Sequence, residues 1–176
     1  ARSYGGYLAN RNNPSWRQAM EARLEMLVVR MLRLELLEQE GDFVQLTLLG
    51  RACGRSSLSF GSAMRLVELL RQTQVNQLTA ERIMAMVQAL EESDGGYTPM
   101  MKRGRKEAVW PNEAARRYGA DVVRGLQRYV EDEYKYFARC KRAALLWDWI
   151  EGTPMEQLEQ RYSATPCRAS FHSFSR

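Results

Sequence analysis

Apolar side chains recur at helical spacing over most of this chain, and only one five-residue stretch alternates as a strand does. The series Trp16, Met20, Leu24, Leu27, Val28, Met31 and Leu34 marks one face of a long helix, with Asn13 as its cap and Pro14 in its first turn. That helix is expected to end near Glu40-Gly41-Asp42. Phe43-Val44-Gln45-Leu46-Thr47 then reads as a short strand, part of a small wing or hairpin. Ser59 is placed to cap a helix over about residues 60–72, and Thr79 another, carrying Ile83, Met84, Val87 and Leu90, that closes at Ser93-Asp94-Gly95-Gly96. Residues 97–111 hold Pro99, Gly104 and Pro111 without periodicity and read as a polar, basic connector. Beyond it, Val122, Val123, Leu126, Tyr129, Val130, Tyr134 and Phe137 mark one long helix, and Ala143 to Ile150 a further apolar stretch closed by Gly152. Thr153-Pro154-Met155-Glu156 has the form of a capping box opening a helix to Tyr162. Strands are too few for a sheet protein, so the expected fold is mainly α with a wing-sized piece of β.

Composition narrows the function more than the fold. With 176 residues, 45% of them apolar, the chain is long enough for one core or two small ones and too apolar to stay disordered. It lacks an apolar run of about 18 residues, and Ala1-Arg2-Ser3-Tyr4 carries neither an initiating Met nor a signal core, so it reads as a cytoplasmic fragment. Cys53, Cys140 and Cys167 have no Cys-x-x-Cys spacing, and His172 is the single histidine, which disfavours a zinc cluster or a two-imidazole site. A nucleotide-hydrolysing core needs a Gly-rich loop followed by Lys-Ser/Thr, and neither Gly5-Gly6 nor Gly95-Gly96 supplies one. Serines are plentiful, but His172 sits among Ser170, Phe171, Ser173 and Phe174, a poor setting for a triad. The acid pairs Glu91-Glu92 and Glu131-Asp132-Glu133 read as solvated faces. No catalytic residue and no metal ligand is expected.

The formal charge of +5 is uneven. Residues 14–99 hold nine basic and eleven acidic groups, whereas residues 100–142 hold twelve basic and six acidic. The densest run is Lys102-Arg103-Gly104-Arg105-Lys106, which fits either a phosphate-contacting loop or a solvated one.

Two stretches resemble a known family in order. The wing segment Asp42-Phe43-Val44-Gln45-Leu46-Thr47-Leu48-Leu49-Gly50-Arg51, followed by Ser57-Leu58-Ser59-Phe60, is similar to the "L-T-x-L-G" stretch in the winged-helix domain of Ski-two-like superfamily 2 DEAD/DEAH-box helicases. Ala138-Arg139-Cys140-Lys141-Arg142-Ala143-Ala144-Leu145-Leu146-Trp147-Asp148-Trp149-Ile150-Glu151-Gly152, with a helix ending at Tyr162, resembles the "K-x-A-x-x-L-x-x-W-I-x-G … I-x-x-x-Y" pattern in the helical bundle of HelQ-type and Mtr-type relatives. The resemblance covers about residues 14–165. It implies a winged-helix unit with a small β wing over 14–75 and a helical bundle, a truncated ratchet-type domain, over 76–165, between a leader (1–13) and an irregular tail (166–176). It further implies the accessory region of an ATP- and magnesium-dependent motor, whose domains and a single-stranded or partly duplex nucleic acid would be its partners. After Tyr162 the family's Gly-Asp turn and ratchet helix are absent, so no base-stacking role passes to Phe171, Phe174 or Arg176.

The resulting nucleic-acid-binding candidates are Lys102, Arg103, Arg105 and Lys106 first and Arg139, Lys141 and Arg142 second, because each neutralised phosphate releases counterions. Trp110, with Tyr97, flanks the basic run and could stack on unpaired bases, although core burial is the commoner fate of such aromatics. Trp147 and Trp149, two apart, cannot share a helix face, so one is expected to pack inward and the other to meet a neighbour. The alternative is a non-catalytic helical module for protein interaction or regulation.

Overall fold

A computed structural model describes residues 4–13, 15–101, 104–130 and 132–163. Among these the protein is mainly helical, with ten α-helices and one two-stranded antiparallel sheet. The chain divides after Ser57 into two compact units. Within the leader, α1 spans Tyr4–Asn12.

In the first unit, α2 (Trp16–Arg33) begins later than expected: Ser15 is its N-cap and no side chain caps it, while the Asn13 side chain, just outside the helix, accepts from the Ser15 backbone N–H and hydroxyl at 3.0 and 2.7 Å. Its end comes earlier than Glu40-Gly41-Asp42. Glu35 adopts φ +52°, its N–H reaches Leu32 O, and Leu36 N–H reaches back to Met31 O, the paired bonds of a left-handed helix stop. The released residues form β1 (Leu37–Glu40), which pairs with β2 (Phe43–Leu46) through a turn containing Gly41, with Leu37 opposite Leu46 and Glu40 opposite Phe43. Thr47 then caps α3 (Leu48–Arg55), a helix that the sequence pattern did not announce, accepting from Gly50 N at 3.0 Å and donating to Glu35 O at 2.6 Å. Trp16 is half-buried, not core, and α2 carries no fully buried residue.

The second unit contains the core. α4 (Phe60–Arg71) is capped by Ser59 and α5 (Ala80–Val87) by Thr79, both as expected. A one-turn helix α6 (Glu91–Asp94) follows, and its acids tie α4 into this unit, which is why the division falls before α4 and not near residue 75. The expected long helix over 122–137 is interrupted. α7 (Trp110–Tyr118) and α8 (Ala120–Gln127) meet at Gly119, with φ +96°, and Tyr129 at φ +65° turns the chain again before α9 (Glu133–Ile150). α9 runs unbroken through Ala138–Lys141. Gly152, with φ +79°, ends it, and α10 (Met155–Tyr162) follows. The capping box at Thr153 does not form; no side chain caps α10. Met86, Ala89, Ala114, Val122, Leu126, Cys140, Ala143, Ala144 and Tyr162 interlock in one apolar cluster, the small alanines letting α9 approach α7 closely.

Gly50 tests the first unit's packing. A Cβ there would lie 2.0 Å from the carbonyl oxygen of Leu36, whereas one at Gly54, on the same helix, would meet nothing within 4 Å. Gly50→Ala is expected to destabilise this unit by about 1–3 kcal/mol through overpacking, while Gly54→Ala gains a few tenths to ~1 kcal/mol of helix propensity. Urea unfolding of the two variants checks the opposite signs, and equal shifts would contradict this packing.

Candidate functional site

The basic residues of α9 turn inward. Arg139 is 1% exposed and spends its donors on two anchors: Nε and Nη2 grip Asp94 at 2.8 and 2.5 Å, and Nη1 donates to the carbonyls of Leu126 and Arg128 at 2.9 and 3.0 Å, at the end of α8. A planar fork suits a carboxylate and two adjacent carbonyls at once. Lys141, 2% exposed, donates to Pro99 O at 2.5 Å, lies 3.5 Å from Glu107 and sits 5.3 Å over the Trp110 ring. Burial lowers its pKa, and the facing Glu107 carboxylate opposes that fall. Arg142 reaches Gln88, Thr98 and Asp94 at 3.1, 2.8 and 3.5 Å. Trp110 is buried, stacks on Tyr162 with ring centroids 5.0 Å apart, and donates its indole N–H to Glu107.

These contacts correct the expectation that Arg139, Lys141, Arg142 and Trp110 present themselves to a polyanion. Desolvation explains the outcome: a cation on the inner face of α9 must find a carboxylate or carbonyl, and Asp94, Glu107 and Pro99 O supply them. Of the first-choice set, Lys102 and Arg103 lie outside the described residues. Arg105 and Lys106 belong to a 3-10 turn over Gly104–Val109, their side chains outside the description. Met101 and Glu107, which flank the basic run in sequence, are joined: the buried Glu107 carboxylate accepts from Met101 N–H at 2.6 Å. Tyr97 stands 90% exposed beside it in sequence. Trp147 meets the Tyr118 ring edge-on at 5.1 Å, whereas Trp149 projects outward, the division expected of tryptophans two apart.

Several organising side chains were not singled out from the sequence. In sequence Glu107 lies within a basic connector and Asp94 within a helix-terminating Ser-Asp-Gly-Gly. Asp148 accepts from Tyr162 and Arg161 at 2.6 and 3.0 Å and pairs with Arg117 at 2.8 Å, joining α7, α9 and α10. Its signal was helical spacing, since Asp148 falls seven residues after Lys141 on the inner side of α9. Glu91 and Glu92 are not merely solvated: Glu92 accepts from Ser59 N–H at 2.7 Å and Ser62 Oγ at 2.5 Å, and Glu91 from Ser59 Oγ at 3.0 Å. Asp132 caps α9, accepting from Tyr134 N–H at 2.8 Å.

The chemistry available is electrostatic fastening. Burial pushes the Cys140 thiol up to about 12, which removes thiolate character near neutral pH. Among the described residues no group of three His, Cys, Asp or Glu could hold a metal ion, and no helix is long and apolar enough to cross a membrane. No family model, curated protein or solved structure matches the chain.

Two measurements test this arrangement. Arg139→Met should cost about 3–5 kcal/mol, the range for stranding one partner of a buried ion pair, and chemical denaturation gives the value; a loss below 1 kcal/mol would refute the anchor. Glu92 is held down to about 2 from an ordinary 4.5, first by the Ser62 hydroxyl and then by the Ser59 N–H. Because the folded pKa is the lower one, its stabilisation is whole above about pH 4.5 and is lost as pH falls towards 2. Acid unfolding of Glu92→Gln should therefore show a shallower decline than the parent across that window, and parallel curves would contradict the assignment.

Proposed function

We propose that this chain is an accessory, non-catalytic region of a nucleic-acid helicase, with a winged-helix first unit and a helical-bundle second unit, supporting a motor and guiding a single strand. The observation that carries the reading is where the residues of the two resembling stretches fall. Thr47 caps α3 and Gly50 presses against the Leu36 backbone, where a side chain would collide. Ala143, Leu158 and Tyr162 are core, Lys141 is sealed against Glu107 and Trp110, and Gly152 takes a left-handed turn. Thr47, Gly50, Lys141, Ala143, Gly152, Leu158 and Tyr162 thus carry a packing or backbone constraint, whereas Leu46, Leu49, Trp149 and Ile150 of the same stretches stay exposed.

Strand contact in this reading belongs to the basic run Lys102, Arg103, Arg105 and Lys106. With Met101 and Glu107 tied at its base, the run starts from a fixed point on the bundle, and its four charges would give sequence-independent, salt-sensitive affinity. The β hairpin is a poorer phosphate contact, because Glu38, Glu40 and Asp42 are exposed on it and it bears no cation. That acidic hairpin, with Phe43, Val44 and Leu46 exposed beside the carboxylates, favours the second reading, a protein-docking role, for the first unit.

Fluorescence anisotropy with a short single-stranded oligonucleotide tests the first reading. Binding is expected to weaken by about fiftyfold between 50 and 200 mM salt if some four phosphates are neutralised. The combined change of Lys102, Arg103, Arg105 and Lys106 to Ala should remove most of it. Unchanged affinity in that variant would overturn the loop assignment, and no binding at 50 mM salt would leave the docking reading in possession.

A further inference from the structure

The second unit carries an apolar groove that its own core does not use. The main trough, about 700 Å³, lies between α9 and α10, floored by Leu145, Leu146 and Leu158 and flanked by Trp149 and Met155, which are 57% and 62% exposed. A narrower extension of about 290 Å³ shares Tyr97, Pro99, Leu145, Leu146 and Tyr162 with the trough and reaches Gln88, Thr98 and Arg142. Large apolar side chains left half in water along a continuous trough are the mark of an interaction surface.

Charge at the two limits of this groove says what fits it. In the extension, Arg139 and Arg142 share one carboxylate: Asp94 gives both oxygens to Arg139 at 2.5 and 2.8 Å and meets Arg142 only at 3.5 Å. Lys141 beside them is matched by Glu107, so this end keeps one positive charge in excess. A guanidinium has five N–H donors, and three contacts engage Arg142, to Gln88, Thr98 and Asp94. At the other limit the trough is lined by the exposed carboxylate of Glu159. The trough is also open, its flanking side chains more than half exposed, whereas small-molecule pockets enclose most of their ligand. A partner that brings its own cover, as a helix laid into a groove does, suits this shape.

We propose that the groove docks an amphipathic helical segment of a partner protein, its apolar ridge filling the trough between α9 and α10 and an acidic residue meeting Arg142. The inference stands independently of any nucleic-acid contact by residues 102–106.

The test uses the full chain and a set of fluorescein-labelled 14-residue helical peptides bearing Leu or Phe at i, i+3 or i+4, and i+7. Each is made with Glu at one flanking position, at either end in turn, and with Gln in its place. At least one Glu peptide should bind about tenfold tighter than its Gln twin at 50 mM salt, and 500 mM salt should erase the difference. Trp149→Ala with Met155→Ser, two outward-facing changes that leave the core intact, should weaken both twins at least tenfold. Arg142→Gln should remove the preference alone; if that variant fails to fold, the salt comparison decides the point. Failure of every peptide to bind, or binding indifferent to the Trp149 and Met155 changes, would overturn the proposal. So would saturable binding of decanoate with no peptide binding, which makes the groove a site for small amphiphiles, or self-association abolished by the same two changes, which makes it an interface between copies.

Discussion

The second unit depends on the buried fork of Arg139. One guanidinium joins three elements: α6 through Asp94, the end of α8 through the carbonyls of Leu126 and Arg128, and α9 itself. α8 ends where two carbonyls lose their helical partners, and the partial negative charge of that terminus is what the guanidinium meets. Met or Leu at position 139 could fill the volume but would leave the Asp94 carboxylate and both carbonyls without those donors. The buried cation is therefore a fastening whose value lies in direction, since only one placement of α6 and α8 satisfies its planar geometry.

A second fastening, around Glu107, sets the course of the connector. The carboxylate takes Met101 N–H, the Trp110 indole N–H and the Lys141 ammonium together, and Lys141 also holds Pro99 O. A segment without apolar periodicity thus acquires fixed ends by polar means. The same event silences charges that look available in sequence. Segment 100–142 has six more basic than acidic groups, yet Arg139 and Lys141 are spent holding the unit together, and Arg142 is engaged in part, by Gln88, Thr98 and a longer contact to Asp94.

Much of this architecture could be read from residue spacing, and the parts that could not share a cause. Caps at Ser59 and Thr79 were legible because a short polar side chain before an apolar series has one common use. The left-handed stops at Glu35 and Tyr129 were not, because neither residue is glycine and the conformation is imposed by neighbours: Leu36 closes the α2 stop from beyond it. Reading Glu40 as the helix end followed directly from expecting glycine there. Helix α3 was hidden because Leu48–Arg55 is short and carries glycines at 50 and 54, while its capping Thr47 also closes the strand's alternation. The interior roles of Arg139, Lys141 and Arg142 were hidden for another reason. Periodicity computed from hydrophobicity marks long cations as outward, and only the carboxylates at positions 94 and 107, distant in sequence, reverse that. Trp149 and Ile150 were legible as a face distinct from Trp147, but spacing alone could not say that this face stays uncovered.

The two units rest on different physics. The second buries a contiguous apolar cluster and adds ion pairs to it. In the first, Leu34, Leu36 and Gly50 are the fully buried residues among those described, and order comes from local hydrogen bonds: the stop at Glu35, the ladder of β1 and β2, and the Thr47 hydroxyl that donates to Glu35 O while accepting from Gly50 N. Each such bond contributes only about 0.5–1.5 kcal/mol net, and a two-stranded hairpin is marginal in water. Meanwhile Leu24, Met26 and Val29 of α2 and Phe43 and Leu48 around the hairpin stay exposed. A unit so arranged is specified in shape by its turns but draws little free energy from burial, so its opening should precede that of the second unit whenever the chain is destabilised. Thr47 is the residue through which that difference acts, because its one hydroxyl couples the helix stop, the strand end and the next helix start. Removing it would release three local structures that have almost no shared core to hold them.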